Sequence, residues 1–170
     1  SPPVLSRDGV SLTVANTRRN LPEALSPQIK STNFLNNILA KRESIAAGTF
    51  DSLFLNWKDE LTECTVSNLF FISGKTLHTP ALDCGILDGI TRTIVMTLAQ
   101  EEGVPVREGH YHLADLQRAE ECFLTNTSME IMPVNRVDSF AIGDGRPGSL
   151  TRRLQTRFAD SRTRFLEPPS

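Results

Sequence analysis

The sequence predicts an α+β fold in which short strands come in consecutive clusters and helices are inserted between them. Two observations carry this. The β-type runs "FDSLFLNW", "LTECTVS" and "NLFFIS" follow one another from Phe50 to Ser73 with only short polar punctuation. Elsewhere, apolar residues fall at helical spacing: Phe34, Leu35, Ile38, Leu39 and Ile45 in one stretch, Ile90, Ile94, Val95 and Leu98 in another. The steady strand–helix alternation of a doubly wound sheet is missing.

In chain order, "SPPVLSRDG" reads as an irregular arm and "VSLTVANT" as the first strand, so residues 1–20 are expected to form an arm and a strand, with the main domain over 21–170. The loop "RRNLPEALSPQ" leads into a helix from Asn33 to about Ala47, stopped by Gly48. Charged "KDE" makes a hairpin turn between the first two β-runs, and "SGK" and "HTPAL" punctuate the exit from the third. Asp88-Gly89 opens a second helix that Gly103 ends. "VPVREGHY" is a strand with Pro105 marking an edge or bulge. A short helix over "LADLQRAE", a strand over "ECFLTNT" and strands within "MPVNRVDSFAIG" follow. After the turn "DGRPG", the terminal helix presents Leu150, Leu154 and Phe158 on one face.

Composition narrows the function. With 170 residues, 39% of them hydrophobic and 22% charged, the chain can bury a substantial core. The apolar runs are too short to span a bilayer, and the first residues lack the apolar centre of a secretion signal, so no membrane is expected. A net charge of −2 argues against a nucleic-acid partner. The scattered Cys64, Cys84 and Cys122 have no metal-type spacing; they read as buried apolar residues in a reducing cytoplasm. His110-x-His112 lacks an evident third ligand, so no metal is expected. Trp57 and Tyr111 build no stacking platform, and neither a GxSxG elbow nor a Walker loop occurs.

Three places can carry chemistry. Lys30 stands at a loop–helix junction, where the plain reading is a solvated surface lysine. Glu63 lies between hydroxyl residues in a strand; alone, it reads as a solvent-side residue, since a buried carboxylate there needs a cationic partner. "DGIT" opens a helix whose free N–H groups favour an anion, and Thr125, Thr127 and Ser128 of "LTNTS" sit at a strand end able to add donors. Together they could hold a phosphate, although "DGIT" alone reads first as a helix cap.

Taken in order, "RRNLPEALSPQIKSTNFLNNILAKRES", "LTECTVSNLFFISGKTLHTPALDCGILDGITR", "LADLQRAEECFLTNTSMEIMPV" and "IGDGRPGSLTRRLQ" resemble the large C-terminal domain of the class IV (fold type IV) pyridoxal-phosphate enzymes. That family includes branched-chain and D-amino acid aminotransferases and aminodeoxychorismate lyases. The resemblance covers nearly the whole chain. It implies Lys30 as the Schiff-base lysine and Glu63 as the carboxylate beside the pyridine nitrogen. It implies Ile90, Thr91 and Thr127 as phosphate ligands, and Ser128 as the residue whose backbone holds the substrate carboxylate.

The activity implied moves an amino group between an amino acid and a 2-oxo acid on pyridoxal 5′-phosphate. The same motifs also fit a lyase that eliminates pyruvate to leave 4-aminobenzoate, or a catalytically incomplete cofactor-binding fragment. Two departures stand out. Phe34 occupies the place where many members carry a tyrosine against the cofactor's phenolic oxygen. The family's smaller N-terminal domain is absent from the chain, so a homodimer or a separate N-terminal piece is expected to complete the pocket.

Overall fold

A computed structural model describes residues 3–19 and 27–165, with side chains over 4–19 and 34–165. The strands are β1 (Val10–Val14), β2 (Asp51–Leu55), β3 (Leu61–Cys64), β4 (Asn68–Ser73), β5 (Thr76–Pro80), β6 (Val106–Gly109), β7 (Glu121–Asn126), β8 (Glu130–Val137) and β9 (Phe140–Ala141). The helices are α1 (Pro3–Asp8), α2 (Pro27–Ala47), α3 (Ile90–Glu101), α4 (Leu113–Gln117), α5 (Ser149–Asp160) and α6 (Arg162–Phe165). Among the described residues, no helix is long and apolar enough to cross a membrane.

The sheet runs β3-β2-β1-β8-β7-β4-β5-β6, with β9 on β8, and β3 also pairs with β4. That last pairing bends six of the strands into a closed ring, while β5 and β6 extend from β4 as a flap. β1 lies parallel to both neighbours, in register Leu12↔Asp51 with β2 and Val10↔Val134 with β8.

Alternation along the strands sorts side chains into two cores. Leu69 and Phe71 of β4, Cys122 and Leu124 of β7 and Met132 and Val134 of β8 join Leu12, Leu53, Leu55 and Leu61 inside the ring. Their neighbours Phe70, Ile72, Phe123 and Ile131 point outward, onto Val95 and Leu98 of α3 and Leu154 and Phe158 of α5. Phe70 and Phe123 stack with centroids 5.1 Å apart.

α2 packs on the outside of β1 and β2 by a different logic. Among its described side chains the fully buried ones are Ala40 and Ser44, with Ala40 seated against Phe54 and Ala15. The predicted apolar set, Phe34, Leu35, Ile38, Leu39 and Ile45, is exposed. A small residue at the contact brings the helix backbone close enough for the Ser52 hydroxyl to donate to the Ala40 carbonyl at 2.6 Å.

Most predicted elements are present, with three differences. The expected irregular arm is the helix α1, which begins at Pro3; proline suits a first helical turn because its fixed φ is helical and its missing N–H would be unsatisfied there anyway. For the same reason α2 starts at Pro27 rather than Asn33. "HTPAL", expected as punctuation, begins inside the strand β5, which runs Thr76–Pro80; Gly74 supplies the left-handed φ of 63° that turns β4 back onto it.

Truncating the outer core tests the packing. Phe123→Ala is expected to cost about 3–5 kcal/mol in urea denaturation, through lost burial and the cavity left beside Phe70. Ile45→Ala, on the exposed side of α2, should stay within about 0.5 kcal/mol.

Candidate active site

Glu63 sits where the ring closes, in register with Asn68 across the β3–β4 pair. It is 4% exposed, not solvent-facing as its sequence context suggested, and each carboxylate oxygen is held. Arg19 Nη2 donates to Oε1 at 2.5 Å, while Asn68 Nδ2 and the Leu87 N–H each donate to Oε2 at 3.1 Å. Burial pushes the carboxyl up to about 7, against the pull of Arg19 and the Leu87 N–H.

Arg19 reaches Glu63 because the chain beyond β1 keeps running beside β2, with the Arg19 N–H bonded to the Leu55 carbonyl at 2.9 Å. The guanidinium is then aimed by two further acceptors, Asn37 Oδ1 at 2.9 Å and the Gly85 carbonyl at 3.1 Å. Asn37 also donates to the Thr65 carbonyl at 3.0 Å, tying α2 to the turn after β3. Sequence reading assigned no role to Arg19, Asn37 or Asn68. The requirement that a buried strand carboxylate have a cationic partner was the available signal, but the arginine lies 44 residues away.

These side chains border a pocket of about 170 Å³, lined also by Gly89, Ile90, Thr91, Thr125, Asn126 and Thr127. Gly89 precedes α3 with extended backbone, and no side chain caps the helix, so its first-turn N–H groups face this region unpaired by a cap. Glycine is required there: a β-carbon would collide with Asn68 Oδ1, and Asn68 is fixed by its bonds to Glu63 and to the Leu87 carbonyl. Thr125 Oγ1 is buried without a hydrogen-bond partner among the described residues.

The structure therefore gathers Glu63, Ile90, Thr91 and Thr127 at one pocket. Ser128, the next residue, lines a separate hollow of about 580 Å³ between α1, β8 and α5. Lys30 falls near the start of α2, seven residues before Asn37 and so on the same face of the helix, but its side chain lies outside the described residues. Phe34 is exposed.

The donor set suits a phosphorylated, nitrogen-containing ring. An uncapped helix start and an unsatisfied threonine hydroxyl offer hydrogen bonds to an anion, and a buried carboxylate at the other end suits a protonated ring nitrogen.

Comparison with known proteins agrees with this geometry. The family described as amino-transferase class IV matches residues 1–137, and the chain belongs to that family. It is 38% identical over 136 residues to a D-alanine aminotransferase of Listeria monocytogenes, covering 80% of this chain and 47% of that protein. It is 36% identical over 151 residues to an aminodeoxychorismate lyase of Bacillus subtilis, covering 89% and 50%. Among solved structures, the branched-chain amino acid aminotransferase of Thermobaculum terrenum in its PLP form superposes with a TM-score of 0.84 at 33% identity, covering 92% of this chain and 52% of that one. The chain thus spans about half the length of these relatives. The fold is that of the fold type IV aminotransferase domain.

Two outcomes follow from the Glu63 cluster. Arg19→Ala leaves a buried carboxylate without its cation and is expected to cost about 3–5 kcal/mol; adding Glu63→Gln should recover part of the loss, as read from a double-mutant cycle in urea. The folded protein keeps the Glu63 proton up to about 7, whereas an unperturbed carboxyl loses it near 4.5. Folding takes up a proton in that window, so this group's stabilisation is present below it and is lost as pH rises through it. The stability of the wild type relative to Glu63→Gln should decline between about pH 4.5 and about pH 7 and then level off.

Proposed function

We propose that this chain is the cofactor-binding half of a pyridoxal-phosphate-dependent enzyme that moves an amino group between an amino acid and a 2-oxo acid. The observation that carries the reading is the convergence of a triply held buried carboxylate and an uncapped helix N-terminus on one pocket, in a chain of the class IV family.

The residues divide the work by their chemistry. Glu63 would accept a hydrogen bond from the ring nitrogen and keep it protonated, and that positive charge would in turn hold Glu63 ionised at neutral pH. The N–H groups of Ile90 and Thr91, with the hydroxyls of Thr91 and Thr127, would hold the phosphate, and the unpartnered Thr125 hydroxyl is placed to add a donor. Bound pyridoxal phosphate supplies the electron sink that stabilises negative charge at the α-carbon of an amino acid. In this reading the Lys30 amine would anchor the cofactor covalently and, as a free amine, would move a proton at the substrate's α-carbon. Ser128 lines the neighbouring hollow, but its backbone directly follows Thr127 and in this reading would hold the substrate carboxylate.

Because the chain spans about half of its relatives, the reading includes a second piece that completes the pocket, from a partner copy or a separate N-terminal domain. The cofactor-binding domain of this reading, expected over residues 21–170, takes in β1 and Arg19 as well, because β1 lies between β2 and β8 in the ring and Arg19 holds Glu63. The free, buried Cys64, Cys84 and Cys122 suit a reducing, cytoplasmic setting.

Borohydride reduction of the protein incubated with pyridoxal phosphate tests the anchor. One covalent adduct per chain is expected on the peptide carrying Lys30, and none in Lys30→Ala. An adduct spread over Lys41, Lys58 and Lys75, and unchanged in that variant, would contradict the assignment.

A further inference from the structure

Away from the pocket, three side chains from distant parts of the sequence meet at the edge of the flap. Glu60 precedes β3, Cys84 ends the 3₁₀ turn Leu82–Cys84, and His110 follows β6. His110 Nδ1 lies 3.1 Å from Glu60 Oε2 and 3.5 Å from Cys84 Sγ, and Cys84 Sγ lies 3.8 Å from the same Glu60 oxygen. Sequence spacing pairs His110 with His112, but His112 serves at the start of α4, its N–H donating to Asp115 Oδ2 at 2.8 Å, and Cys84 and Glu60 stand beside His110 instead.

The triangle has the dimensions of a metal site. Zinc binds sulfur at about 2.3 Å, imidazole nitrogen at about 2.0–2.1 Å and carboxylate oxygen at about 2.0–2.2 Å; in a tetrahedron these lengths separate sulfur from either light ligand by about 3.5 Å and nitrogen from oxygen by about 3.3 Å. The outer ring nitrogen is also held, with His110 Nε2 3.2 Å from Asp83 Oδ1. A carboxylate on the far nitrogen is the arrangement that orients a metal-ligating histidine. Glu60 Oε2 additionally accepts from Asn56 Nδ2 at 2.9 Å, which fixes the carboxylate, and the Gly109 carbonyl lies 3.7 Å from Cys84 Sγ.

With carboxylates at both ring nitrogens, hydrogen bonding alone needs an imidazolium, and the thiol is left with long contacts to Glu60 Oε2 at 3.8 Å and the Gly109 carbonyl at 3.7 Å. A cation at the centre lets one neutral tautomer serve, with Nδ1 coordinating and Nε2–H donating to Asp83. Glu60 and Cys84 are buried while His110 is half-exposed, so the triangle is walled on the protein side and open to solvent for a fourth ligand.

The geometry points to a zinc-binding site made by Glu60, Cys84 and His110, oriented by Asp83 and completed by water. Binding displaces the Cys84 thiol proton to solvent. The site would pin one end of the loop from Leu82 to Gly89, whose other end supplies the Leu87 N–H to Glu63 and the start of α3.

The test uses the full chain, treated with a chelator, freed of pyridoxal phosphate, and dialysed against Zn²⁺ or, in parallel, Co²⁺. About one zinc per chain is expected to be retained, with a thiolate-to-cobalt charge-transfer absorption in the cobalt form. Cys84→Ala and His110→Ala should lose the retained metal. Asp83→Asn should weaken binding by about 10–100-fold, and His112→Ala should bind as the wild type does. His110 is half-exposed, so its variant keeps the fold and decides the matter should Cys84→Ala fail to fold. No retained zinc in the wild type, or equal retention and an equal cobalt band in His110→Ala, would overturn the site and leave a hydrogen-bonded cluster only.

Discussion

A carboxylate buried at a strand junction is a constraint that the surrounding chain has to answer. Glu63 is answered by Arg19 from the stretch after β1, Asn68 from β4 and the Leu87 N–H from the loop before α3. Each of these is in turn held: Arg19 by Asn37 and Gly85, Asn68 by the Leu87 carbonyl. The segments that shape the pocket are therefore fastened to one another through a single acid. Removing any donor loses more than its own bond, since the charge left behind is out of reach of water.

Strands and helices were legible in the sequence wherever periodicity was strong. β4 and β7 show as nearly unbroken apolar runs because both faces of these strands are buried, one inside the ring and one against α3 and α5. The misreadings have physical causes. Proline in a first helical turn disguised the starts of α1 and α2, and the mixed sequence of β5 concealed a strand that depends on its neighbours for pairing. Helical spacing correctly located α2 yet said nothing about which side meets the sheet, because the contact is made by Ala40 and Ser44 rather than by the apolar stripe.

The site was legible in part for a similar reason. Gly89, Ile90 and Thr91 form a local signal, a helix start, and short motifs announce local structure. Glu63 acquires meaning only from Arg19, and His110 only from Glu60 and Cys84; such pairings are made by strand order, which no short window of sequence contains. Motif resemblance supplied the link for Glu63. For His110 no motif existed, and spacing alone suggested the wrong companion.

The parallel placement of β1 between β2 and β8 has a kinetic consequence. Val10 pairs with Val134, so the ring cannot close until nearly the whole chain is available. Contacts of such long sequence separation incur their loop-closure entropy before they yield any stabilisation, which places folding in the slow regime of non-local topologies. On the ribosome, β1 emerges long before β8, and its open side is meanwhile a row of unpaired backbone groups able to take up any extended segment nearby. The closure that leaves the finished ring without free edges is, during synthesis, the interval in which the chain is most exposed to mispairing.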